Sequence, residues 1–195
     1  MYITASNFRE FLSLYPIVSL LIGMNIVAFI LTTAPIFPNQ MIFEKTAGIH
    51  IYLANGELWR LITPIFIHLH FSHLLFNMIA LFLFGPVIES FVGKGKFLVL
   101  FLGSGIFANV ITFIFAPLVF VHVGASGAIF GIIGSLMILT KTRIIPHIDF
   151  KYVLIITGCA FLYSLLQKEV NLYAHIGGLI GGILLSYFLY LFKDS

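Results

Sequence analysis

The chain has 195 residues, of which 61% are hydrophobic and only 9% charged, against roughly 25% charged for an average soluble domain. That balance defines a membrane protein, because six spans of about 20 residues would take roughly 120 positions and leave no room for a sizeable soluble domain. The net charge of +3 comes from ten Lys and Arg placed singly or in pairs, and there is one cysteine, Cys159; nucleic-acid binding, an internal disulfide framework and a Cys-based metal cluster are thereby excluded.

Apolar runs fall at about 16–37, 61–84, 97–120, 126–140, 152–166 and 172–192. They lack the alternation of barrel strands, and a spanning segment can satisfy its backbone internally only as a helix or in a closed barrel. The expected fold is therefore an all-α bundle of six transmembrane helices. The first run is long enough to span and is preceded by Arg9 and Glu10, whose charges cancel, so it reads as a helix rather than a signal peptide. The connection at 38–60 carries Ile42, Phe43, Ile49, Ile51, Tyr52 and Leu53, which suggests an interfacial segment embedded among headgroups. With the N-terminus cytoplasmic, that side holds Arg9, Lys94, Lys96, Lys141, Arg143, Lys151 and Lys193, and the opposite side only Lys45, Arg60 and Lys168. The distribution favours N-inside. No internal repeat of the transporter kind is visible.

Ionisable residues inside spans are costly and mark function. Here they are His68, His70, His73, Glu89 and His175, joined by Asn77 and by the stretch Gly124-Ala125-Ser126-Gly127. The fourth span is short: 126–140 gives roughly 22 Å against a hydrocarbon core of about 30 Å. Ser126 should thus lie below the outer surface, at a helix N-terminus whose free N–H groups suit a developing oxyanion. It is a candidate nucleophile. His175, about four residues into the sixth span, has a compatible depth and is the candidate general base. Gly127 and Gly131 on the fourth span, with Gly178 and Gly182 on the sixth, supply small faces for the close packing this needs. The alternative is that these glycines merely permit packing and that His175 is an interhelical hydrogen-bonder.

His73 and Asn77 share one face of a helix expected to start near Phe71, after a loop over 64–70. In a continuous helix His68 would point elsewhere. The cluster His68-x-His70-x-x-His73 also admits a metal reading, but residues two apart on a helix face opposite ways and no in-span Asp or Cys completes a shell; no metal is expected. No carboxylate in the fourth or sixth span can orient His175, since Glu169 belongs to a loop, so the pair forms a dyad. Glu89 is expected as an anchor bonded to loop backbone near 93–96. His50, His122 and His147 fall in predicted loops and are expected to be solvated. The eight Tyr and 22 Phe are expected to face lipid and the interfaces.

Taken together, Gly124-Ala125-Ser126-Gly127, Ala174-His175-Ile176-Gly177-Gly178 followed by Gly182, His73-x-x-x-Asn77, Trp59-Arg60 and Gly85-x-x-x-Glu89 resemble the rhomboid family of intramembrane serine proteases, in order and in membrane placement. The resemblance runs from about Trp59 to Gly182. It implies a six-helix core with Ser126 as nucleophile, His175 as base, and His73, Asn77 and the Ser126 N–H around the oxyanion. It also implies that Trp59 and Arg60 fix the outer loop, that Glu89 supports the core from the cytoplasmic side, and that His68 is structural. Phe130 stands where some members carry a tyrosine against the catalytic histidine, and keeps the aromatic surface. The substrates implied are single-span membrane proteins, cut in or near the membrane without a cofactor. Residues 1–195 read as one minimal six-span domain of a bacterial plasma membrane, with the site opening to the extracytoplasmic side. A rhomboid-like client-binding protein is disfavoured because both Ser126 and His175 are present. A histidine-lined channel is disfavoured because the polar residues cluster in the outer half.

Overall fold

The computed structural model describes residues 5–167 and 170–190; Lys168, Glu169 and Lys193, used above in the charge and loop readings, lie outside the described residues. A short helix, α1 (Phe8–Leu14), is capped by the Asn7 side chain, which accepts from the Glu10 amide. It leads into α2 (Pro16–Thr33). Pro16 fits the first helical turn, where an amide donor is not needed, while Pro35 and Pro38 stop the helix short of the apolar run's end at 37.

The long connection that follows is folded throughout: α3 (Asn39–Thr46), β1 (Gly48–Ile49), α4 (His50–Ala54) and two 3-10 turns at Leu58–Leu61 and Thr63–Phe66. Five more helices follow among the described residues: α5 (Phe71–Val92), α6 (Lys94–Phe115), α7 (Ser126–Lys141), α8 (Phe150–Leu166) and α9 (Leu172–Tyr190), with β2 (Val121–His122) just before α7. The all-α expectation needs one amendment. β1 and β2 pair antiparallel, Gly48 opposite His122 and Ile49 opposite Val121, because loop backbone excluded from water must find partners of its own.

Helices α2, α5, α6 and α9 are long and apolar enough to cross a bilayer, and α7 and α8 are shorter apolar helices. This is a multi-pass membrane protein. Exposed Val27, Ile30, Phe82, Ile155 and Phe188 are side chains that water would not tolerate in such number but lipid does. The second spanning helix begins at Phe71, and it runs on through Pro86 to Val92, beyond the apolar run. At Gly85 an added Cβ would stand 2.7 Å from Val18 Cγ2, so α2 crosses α5 there.

Helix α7 is the axis of the bundle, with every residue from Gly127 to Leu136 buried. It can be apolar all round because α5, α6, α8 and α9 surround it. Its seam with α9 is backbone against backbone: a Cβ on Gly178 would collide with the Gly127 carbonyl oxygen, and one on Gly182 with the Gly131 carbonyl oxygen. Helix α8 is attached more thinly, with only Val153, Thr157 and Ser164 buried.

Glu89 departs from expectation in its partners. It is 3% exposed and accepts from the amides of Ile17 at 3.0 Å and Val18 at 2.9 Å, rather than from backbone near 93–96. The reason lies in α2, whose N-cap Tyr15 makes no side-chain capping bond. Its orphan donors are met by a carboxylate from α5, which also suits the positive end of the helix dipole. Glu89→Ala strands two buried donors and is expected to cost about 1–3 kcal/mol for the groups left unpaired. Thermal melting in detergent checks this, and an unchanged midpoint would show that α2 is held by packing alone.

Candidate active site

The end of the bundle that holds the N-termini of α5, α7 and α9 gathers most of the residues singled out by sequence. Ser126 is the first residue of α7 and half-buried. The N-cap, Ala125, makes no side-chain capping bond, so the first-turn amides of α7 are not covered by a cap. The preceding Gly124 has φ +120°, a conformation that favours glycine. Its amide donates to the Pro64 carbonyl at 2.8 Å, and a Cβ there would lie 2.7 Å from His73 Cε1. His73 thus rests against the backbone two residues before Ser126.

From the other side comes α9. Its first turn is capped by Asn171, whose Oδ1 accepts from the Ala174 amide at 3.1 Å and whose Nδ2 donates to Thr112 Oγ1 at 3.0 Å. His175 is 5% exposed and stacks on Phe130 with ring centroids 4.2 Å apart and planes at 21°. Gly127 packs on Ala174, whose carbonyl oxygen would be 3.4 Å from a Cβ on the glycine. The neighbour of Ser126 and the residue one turn beyond it therefore touch Ala174 and His175 respectively. Nδ1 of His175 lies 2.8 Å from Ser164 Oγ on α8. Nothing in the sequence marks Ser164 or Asn171: the first acts across a helix boundary, the second is one asparagine among several.

Asn77 is buried on α5, and its Nδ2 donates to the His73 carbonyl at 3.1 Å and lies 3.0 Å from His68 Nε2. Both amide protons are thus engaged in this state, and one must be released before Asn77 can serve an incoming group. His68 does not point elsewhere. It is 1% exposed, and its ring meets that of His73 edge-on at 4.8 Å, because the chain leaves helical geometry before Phe71 and turns the residue back. His70 is the N-cap of α5. A cavity of about 240 Å³ lined by Thr32, Thr33, Asn39, Gln40, Phe43, His68 and Leu69 adjoins this side.

The 38–60 segment is built around Arg60, which is 1% exposed. Its guanidinium donates to the carbonyls of Glu44 at 2.8 Å and Ala47 at 2.6 Å and pairs with Glu57 at 2.6 Å. Trp59 Nε1 donates to the Lys45 carbonyl at 3.1 Å. His147 is exposed, but His50 and His122 are buried at 0% and 6%, against the expectation of solvated loop residues. The strand pair folds them inward: their rings meet edge-on at 5.2 Å, and His50 Nδ1 bonds the Pro117 carbonyl.

Burial, with His50 adding to it, pushes His122 down to about 4, and burial also lowers His50. Unfolded histidine protonates near 6.5. Between pH 6.5 and 4 a loosened loop therefore binds protons that the folded one refuses, so the loop loses stability as pH falls through that window. Trp59 is the only tryptophan, so its emission is expected to change over pH 6.5 to 4, with a smaller change in His122→Phe. A flat profile in both would sink this.

Residues 55–192 match the Rhomboid domain family. YdcA of Bacillus subtilis is 40% identical over 96% of this chain and 95% of its own length. The rhomboid protease GluP of the same organism is 38% identical over 67% of this chain and 26% of its own. The rhomboid protease GlpG of Haemophilus influenzae is 32% identical over 67% and 69%. The chain belongs to the rhomboid family of intramembrane serine proteases.

Proposed function

We propose that this protein cleaves single-span membrane proteins in or near their transmembrane segments, with Ser126 as nucleophile and His175 as general base. The observation that carries the reading is the placement of Ser126. It sits on the uncapped first turn of α7, while Gly127 and Phe130 bracket it against Ala174 and His175. Ser126 Oγ attacks the scissile carbonyl as His175 takes its proton. The tetrahedral oxyanion is met by the Ser126 N–H, His73 and an Asn77 proton released from its resting partner. His175 then protonates the leaving amine, and water activated by the same imidazole hydrolyses the acyl-enzyme. Water is scarce in lipid, so the site opens to the outer aqueous phase; the polar cavity beside His68 suits that supply.

The whole of 1–195 acts as one domain with six spans, α7 and α8 included, and with the N-terminus cytoplasmic in a bacterial plasma membrane. In support, Arg9, Lys94, Lys96, Lys141, Arg143 and Lys151 flank the helix ends remote from Ser126. A substrate helix enters between α5 and α8. The aromatic contact across that gap is Phe76 with Tyr163, ring centroids 6.1 Å apart, whereas Phe161 leans on Phe130 at 4.8 Å. Substrates with weak helix formers at the cut unwind at least cost. The test is labelling of purified protein with a fluorescent fluorophosphonate. Labelling that disappears in Ser126→Ala and His175→Ala supports an activated serine, and labelling that survives Ser126→Ala removes it as nucleophile. No labelling of folded wild type favours a client-binding protein.

A further inference from the structure

A general base must present a lone pair on the ring nitrogen that faces its nucleophile, and in a neutral imidazole the other nitrogen holds the proton. Ser164 Oγ lies 2.8 Å from His175 Nδ1 and also 2.8 Å from the Ala160 carbonyl oxygen. A carbonyl can only accept, so a hydroxyl proton directed at Ala160 makes both short contacts hydrogen bonds, whereas one directed at Nδ1 would leave two oxygen lone pairs facing each other at 2.8 Å. What Ser164 has left for His175 is a lone pair. In that arrangement the proton between them belongs to Nδ1, and Nε2 is the unprotonated nitrogen.

Resting on the Ser126–His175 reading, we infer that Ser164 is a positioning residue: its hydroxyl, with its proton tied to Ala160, accepts from Nδ1–H of His175 and so fixes the tautomer in which Nε2 is the base. Phe130 and Ser164 divide the work of orienting the ring. The stacked phenyl sets the plane of the imidazole but cannot tell one nitrogen from the other, whereas the hydroxyl sets the rotation within that plane. Ser164 is 3% exposed, so no water competes for the Nδ1 proton. As a neutral acceptor it stays satisfied when His175 takes up the Ser126 proton, and it brings no second buried charge into the site. Other hydroxyls in the bundle make the same bond to the carbonyl four residues back, among them Thr157 to Val153 on the same helix. Ser164 differs in having the catalytic imidazole as a second partner.

The experiment compares full-length wild type with Ser164→Ala, Ser164→Thr and Thr157→Ala by the rate constant for fluorophosphonate labelling. Nitrogen-15 NMR of histidine-labelled protein runs beside it, with the His175 signal assigned from His175→Asn. Ser164→Ala is expected to label about 10- to 100-fold more slowly. Ser164→Thr, which keeps the hydroxyl, should recover to within about threefold, and Thr157→Ala should match wild type to within about twofold. Wild-type His175 is expected to show a protonated Nδ1 and an unprotonated Nε2. This measurement does not depend on how the Ser164 variants fold, and a protonated Nε2 overturns the proposal. Labelling that requires Ser126 and His175 but is as fast in Ser164→Ala as in Thr157→Ala overturns it alone. Labelling indifferent to Ser126→Ala overturns the dyad reading and this proposal with it.

Discussion

Ser126→Ala is expected to reduce cleavage of a single-span substrate in proteoliposomes by at least about 10⁴-fold, with His175→Ala falling into the same range. In the proposed mechanism the two residues act in one step, proton transfer from Oγ as the carbonyl is attacked, so losing either removes that step entirely. The double variant should accordingly be no slower than the worse single one, which is the signature of groups that work as a unit. Fold is not at stake in Ser126→Ala: the residue is half-buried at a helix start, and alanine is the best helix former. A matching melting temperature together with residual cleavage above about one per cent of wild type would mean that another nucleophile does the chemistry.

The second large effect is structural. Gly182→Val is expected to prevent α7 and α9 from seating, because even the first carbon added at that position would run into the Gly131 carbonyl oxygen. Inserting carbon into a packed core costs about 1–3 kcal/mol where side chains can give way. Here the obstacle is helical backbone, so the loss should exceed about 3 kcal/mol. Gly178→Val should behave alike, since its obstacle is the Gly127 carbonyl oxygen beside Ser126. Gly158 on α8 is the comparison: a Cβ there meets nothing within 4 Å, and Gly158→Ala should fold normally. Yield of monodisperse protein and melting in detergent distinguish the two groups. A Gly182→Val protein melting within a few degrees of wild type would contradict the seam between α7 and α9.

Much of the candidate site was legible because membrane sequences spend polar residues sparingly. Ser126, His73, Asn77 and His175 stand out against apolar surroundings, and glycines four apart announce a close helix pair. The start of α5 near Phe71 was legible too, from depth: a helix begun earlier would bury His73 below Ser126. What resisted reading was partnership. Glu89 was recognisable as an anchor, but the donors it meets belong to α2, 71 and 72 residues distant in the chain. His50 and His122 looked like loop residues in water, and only the pairing of Gly48 with His122 turns them inward. His68 looked misaligned with Asn77 only for as long as a continuous helix was assumed.

The sequence by itself determined the solvent, the helices and the candidates for chemistry, since hydropathy and in-span polar groups are local properties of the chain. It also carried the family, through motifs whose residues lie within a few positions of one another. Only the tertiary structure decided which polar groups satisfy one another: Glu89 with the start of α2, Asn77 with His68, and Ser164 with His175. The physical reason is that a hydrogen bond across helices depends on distance, angle and the rotation of each helix about its axis, none of which a linear spacing encodes. For His175 that geometry sets the Ser164 hydroxyl against Nδ1 and the Ala160 carbonyl at once, the pair of contacts on which the proposed tautomer rests.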